Sequence, residues 1–129
     1  MAQQPEQNDI LLEVNGLKIL VDCGMQQGSQ EDEAWNYTDF PYNPSEIDYL
    51  FLTHAHIDNV GRVPKLVKDG FKGKIIGTGP TIDLAKVSLI DSAGIIQRES
   101  AKKELEPFFT MDDVIAAEKY YTKQNLFYR

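Results

Sequence analysis

The chain has 129 residues, 13 of them basic and 20 acidic, giving a net charge of −7, with a hydrophobic fraction of 42%. That length suits one domain that buries roughly two-thirds of its extended surface. The acidic balance disfavours broad contact with phosphate backbones. The single cysteine, Cys23, excludes an internal disulfide, and no apolar run approaches the roughly 20 residues of a membrane span.

The polar start Met1–Asp9 has no apolar stretch of the signal-peptide kind, so it reads as a disordered leader ahead of a domain over residues 10–129. With one cysteine and no membrane segment, a reducing cytoplasm is the expected location. Ile10–Val14 and Leu17–Val21 are β-compatible runs joined by Asn15-Gly16, the strongest short hairpin signal. The second run ends on a carboxylate and a turn, Asp22-Cys23-Gly24. Ser29 followed by Asp32 predicts a capped short helix through Trp35. Tyr49–Leu52 reads as a short buried strand, parallel to a neighbour. A helix is predicted over Val60–Asp69, stopped by Gly70 and with Pro64 near its first turn. Lys74–Gly77 reads as another strand. Pro80–Arg98 is the longest predicted helix, with Ile82, Ala85, Leu89, Ala93 and Ile96 on one apolar face. Thr110 and Asp113 predict a capping box for a last helix over Met111–Gln124. Strands alternating with helices indicate an α/β domain.

The chemistry concentrates in Thr53-His54-Ala55-His56-Ile57-Asp58-Asn59. A lone histidine is usually structural, but the chain has only two histidines, and both fall in this loop between a buried strand and a helix. Two positions apart on an extended loop, they share one side and can reach a single cation at about 2.0–2.1 Å, the zinc–imidazole distance. Asp58, two residues on, offers a hard oxygen to a second cation. Loops after buried strands are where α/β proteins place ligands.

Thr53–Asp58 resembles the second motif of the metallo-β-lactamase superfamily, His-x-His-x-Asp-His. Leu11–Gly28 resembles the family's first motif through Val21-Asp22-Cys23-Gly24 and Gln26-Gln27-Gly28. Pro44–Asp48, Val60–Pro64, Gly77–Ser92 and Phe108–Val114 resemble one branch, the β-CASP RNA-processing nucleases, which include RNase J-like enzymes and the endonuclease of mRNA 3′-end cleavage. The resemblance runs from Leu11 nearly to the C-terminus. It implies the first half of an αββα sandwich, with a mixed sheet and flanking helices. It also implies two zinc ions and RNA as substrate. His54 and His56 would ligate the first zinc, Asp58 would ligate the second and orient the nucleophile, and Asp22 would support the loop from behind.

This chain departs from the pattern. Asn59 stands where the motif ends in histidine, and an amide oxygen is a weaker zinc ligand than imidazole. The family's further histidines and bridging aspartate have no counterpart here, so the ligand set is expected to be incomplete and any metal weakly held. The expected reading is the N-terminal portion of a zinc-dependent RNA hydrolase, completed by the rest of the fold or by a second chain. The alternative is a non-catalytic, degenerate module that acts by association. A lactamase or thioesterase is disfavoured by Gly77–Ser92 and Phe108–Val114.

Other candidates read more simply. Cys23 has no cationic neighbour in sequence and is expected to be a small buried hydrophobe. Glu31, Asp32 and Glu33 suit a solvated helix start. Arg98, Lys102 and Lys103 sit among Glu99, Glu104 and Glu106 as a mixed surface. Tyr120, Tyr121, Phe127 and Tyr128 are expected to pack rather than stack on bases.

Overall fold

A five-stranded mixed sheet organises the chain, and its order in space is its order in sequence. The computed structural model describes residues 9–124. The expected leader, apart from Asp9, and the aromatic residues Phe127 and Tyr128 lie outside the described residues.

Strands β1 (Ile10–Val14) and β2 (Leu17–Val21) form the predicted antiparallel hairpin, with Val14 opposite Leu17. Its two-residue loop has φ of +52° at Asn15 and +81° at Gly16. Positive φ at both central positions matches the right-handed twist of the flanking strands, which is why Asn-Gly suits the turn. Strand β3 (Tyr49–Phe51) lies parallel to β2, and β4 (Lys74–Thr78) lies parallel to β3. Leu20, Leu50 and Ile75 stand in register across these three strands and are fully buried. Alternate positions point to the opposite face. There Ile19, Val21 and Ile76 are half-buried, and Phe51 is 39% exposed. Every residue of β1 is exposed.

Helices α2 (Ile57–Val60), α3 (Val63–Lys68), α4 (Gly79–Lys102) and α5 (Met111–Ala117) share one core with the buried face, whereas α1 (Gln30–Trp35) has no fully buried residue. Ser29 caps α1 as predicted: its hydroxyl accepts from Asp32 N–H at 3.1 Å, and the Asp32 carboxylate accepts from Ser29 N–H. Ile82, Ala85, Leu89, Ala93 and Ile96 are all buried, confirming the predicted apolar face of α4. The helix runs four residues beyond Arg98. Its outer side also carries apolar residues, with Leu84 and Val87 more than 60% exposed.

Two predicted helices are corrected. Val60–Asp69 is not continuous, because α2 ends at Val60 and α3 begins at Val63. The N–H of Arg62 donates to Cys23 O at 3.0 Å instead of to its own helix, and Pro64 has no N–H to continue the ladder. Met111–Gln124 is helical only to Ala117. A 3-10 turn over Glu118–Tyr120 then leads into β5 (Tyr121–Gln124), which pairs parallel with β4 from Ile75↔Tyr121 to Thr78↔Gln124. An open strand edge overrides local helix propensity at this point.

The two sides of α4 predict opposite sensitivities. Leu89→Ala, at a fully buried position, should lower unfolding free energy by about 2–5 kcal/mol in denaturant titration. Leu84→Ala, at an exposed one, should change it by less than about 0.5 kcal/mol.

Candidate metal centre

The loop bearing the histidines leaves the end of the central strand β3, and β2 holds it from beside. The N–H of Asp22 donates to Phe51 O at 2.8 Å, and that of Leu52 to Ile76 O at 2.8 Å. Past the strand ends, Cys23 N–H reaches Asn59 O at 2.7 Å and Met25 N–H reaches Ile57 O at 3.2 Å. The segment after β2 is thus laced to α2. Gly24 lies so close that a Cβ there would stand 1.7 Å from Asp58 O, so this contact admits no side chain.

Asp22 is the fixed point. It is 5% exposed and has φ of +64°. Its Oδ1 accepts from Thr53 N–H at 2.8 Å, and its Oδ2 accepts from Thr53 Oγ1–H at 2.7 Å and Asn59 Nδ2–H at 3.0 Å. The acidic residue expected to support the loop therefore bonds both of its ends. The Asn59 amide nitrogen is turned to that carboxylate.

His54 and His56 are both exposed on the loop, and their rings lie nearly parallel at 24° with centroids 5.9 Å apart. The structure thus brings the two imidazoles to one side, as their spacing predicts. Asp58 is exposed in the first turn of α2, and His56, with extended backbone, is the cap residue just before that helix. Among the described residues, no group of three or more His, Cys, Asp or Glu side chains is placed to share a metal ion. The donors on these residues alone do not fit a two-zinc centre.

Three contributors were not legible as such in the sequence. Arg62 is 1% exposed, with its guanidinium 4.0 Å from the centroid of Trp35 and 4.3 Å from that of Phe40. Its Nε donates to Gly24 O at 3.3 Å and its Nη1 to Thr38 O at 3.2 Å. It thereby fastens the long crossing between β2 and β3 to the motif loop. A basic residue between Val60-Gly61 and Val63-Pro64 was the available signal. Asp9, assigned to the leader, instead accepts from Gly24 N–H at 3.0 Å. Burial raises its carboxyl above the ordinary 3.8, partly countered by that bond. Thr53 is the third, through its bonds to Asp22. Cys23 is fully buried, and burial raises its thiol well above the usual range, in keeping with the expected hydrophobe. A cavity of about 290 Å³ lies between the 25–28 loop, α1 and α4; Gln26, Gln27 and Gly28 of the first motif line it, but His54, His56, Asp58 and Asp22 do not.

A family model described as the metallo-beta-lactamase superfamily matches residues 4–118. The chain belongs to the metallo-beta-lactamase superfamily. It is 40% identical over 104 residues to a ribonuclease of Thermus thermophilus, an alignment covering 81% of this chain and 22% of that protein. It is 37% identical over 97 residues to transcription termination factor FttA of Methanosarcina mazei, covering 71% and 15%. It is 37% identical over 91 residues to cleavage and polyadenylation specificity factor 73 of Drosophila melanogaster, covering 70% and 13%. The chain therefore spans about a fifth or less of the length of these relatives. These relatives bear out the RNA-processing branch of the superfamily. Among the described residues no helix is long and apolar enough to cross a membrane.

Two outcomes test this architecture. Arg62→Ala should cost about 3 kcal/mol or more in chemical denaturation, from the loss of a desolvated cation–π sandwich and two charged hydrogen bonds. Arg62→Lys should recover less than half, because an ammonium lacks the planar fork that fills both roles.

Asp9 gives a pH signature. A carboxyl raised above 3.8 by burial binds its proton more tightly in the folded chain than in the unfolded one. The contribution of Asp9 to stability should then be fully present below 3.8 and be lost as pH rises through the folded value. Asp9→Asn keeps an oxygen for Gly24 N–H and removes the charge, so thermal melts across that range should be flatter than in the unaltered chain.

Proposed function

We propose that this chain is the N-terminal part of a zinc-dependent RNA phosphodiester hydrolase of the β-CASP type. Its active site is completed by further chain or by a second chain. The observation that carries the reading is the paired exposed imidazoles of His54 and His56, with Asp58 two residues on, at the end of a central parallel strand. Nitrogen donors paired in this way suit zinc. The names of the relatives, a ribonuclease and a cleavage factor, support RNA as the substrate class. In this reading His54, His56 and Asp58 face the metals, Asp58 serves catalysis as well, and Asp22 holds their loop. The cytoplasm is the matching location.

A second reading has a specific observation behind it. Asn59 directs its amide nitrogen to Asp22, and the described residues offer no three-ligand group. Those facts favour a degenerate module that folds and associates without catalysis.

A chimera separates the two. Residues 10–124 replace the aligned segment of the Thermus thermophilus ribonuclease, and cleavage of a labelled RNA is followed in zinc. On the hydrolase reading the chimera cleaves, His54→Ala abolishes cleavage, and Asn59→His raises it by about tenfold or more. If neither the chimera nor its Asn59→His form cleaves while the parent does, the non-catalytic reading stands instead.

A further inference from the structure

We propose that Thr53 is a positioning residue that fixes the tautomer of His54, holding the proton on Nδ1 and leaving Nε2 as the bare donor nitrogen. The proposal follows from counting hydrogens. A threonine hydroxyl has one hydrogen to give and two lone pairs to receive. Thr53 Oγ1 lies 2.7 Å from Asp22 Oδ2 and 3.1 Å from His54 Nδ1. An ionised carboxylate only accepts, so the hydroxyl hydrogen goes to Asp22. The hydroxyl oxygen can then only accept from His54, and Nδ1 must carry a hydrogen. In a neutral imidazole the other nitrogen is then unprotonated.

The surroundings make this arrangement stiff. Thr53 N–H also binds Asp22, through Oδ1 at 2.8 Å, so one carboxylate grips the threonine at two points. Asn59 Nδ2–H takes a further position on the same group at 3.0 Å. Asp22 is buried, so water does not compete for its lone pairs. The chain Asp22–Thr53–His54 therefore runs from a fixed interior acceptor to an exposed ring. Free histidine in its neutral form favours the proton on Nε2, so the hydroxyl reverses the ring's own preference. His56 is held in the loop by its carbonyl, which accepts from Asn59 N–H at 2.8 Å and Val60 N–H at 3.0 Å, and its ring serves as the internal reference.

The use of a bare Nε2, as a donor to a cation, rests on the hydrolase reading above. The tautomer itself does not, and it is read without metal or RNA. The experiment is a two-bond proton–nitrogen correlation spectrum of the imidazoles of the nitrogen-15-labelled chain, in chelator, at about pH 8.5, above the ordinary imidazole range near 6.5. His54 should show a protonated Nδ1 and an unprotonated Nε2. Thr53→Ser should keep that pattern, and Thr53→Val should lose it, returning His54 to the Nε2-protonated form while His56 stays unchanged. A wild-type His54 with its proton on Nε2 overturns the proposal, as does a folded Thr53→Val chain that keeps the Nδ1 proton. If Thr53→Val does not fold, the wild-type and Thr53→Ser spectra decide the matter.

Discussion

One buried carboxylate ties this structure's chemistry to its fold. Asp22 sits where β2 ends, in a left-handed backbone conformation that costs about 1 kcal/mol for a residue with a Cβ. Its hydrogen bonds to Thr53 and Asn59, each to a charged group and worth about 1.5–3 kcal/mol, offset that cost. The conformation is what turns the carboxylate across to the next strand's loop. Backbone strain held by surrounding bonds is typical of functional sites. Here it lets two exposed histidines stand on a loop that would otherwise have few restraints.

Around that point the chain builds a second tier from main-chain contacts. Cys23, Gly24 and Met25 lie directly on α2, so closely that Gly24 leaves no room for a methyl group. Arg62 then grips this layer from below. A buried guanidinium must have its hydrogens and its charge accommodated by the protein. Two carbonyls and two aromatic faces accommodate them here. One residue at the break between α2 and α3 thereby joins the β2–β3 crossing to the motif loop. The break itself is required, since a continuous helix would have claimed the N–H that Arg62 gives to Cys23.

The sheet is finished on one face only. Leu20, Leu50 and Ile75 are sealed under helices, whereas Phe51 and the residues of β1 meet solvent. A half-covered mixed sheet with helices on one side is the first half of an αββα sandwich. This agrees with a chain that matches the superfamily over residues 4–118 and covers about a fifth of its Thermus relative.

Much of this was legible in the residues because the causes are local. Asn15-Gly16 sets the hairpin through its own φ angles, Ser29 and Asp32 cap α1 through their own side chains, and the spacing of His54 and His56 puts both rings on one side of the loop. The apolar period of α4 likewise announces its buried face. What only the tertiary structure decided depends on partners distant in sequence. Residues 121–124 became a strand because β4 offered an open edge. The helix after the motif broke because Cys23 claimed the Arg62 N–H. Asp9 joined the site because Gly24 needed an acceptor, and the Asn59 amide turned inward because Asp22 stood 37 residues away in sequence but 3.0 Å away in space. Sequence pattern reports what a residue does to its neighbours along the chain. Hydrogen bonds across the fold are settled only when folding brings donor and acceptor together.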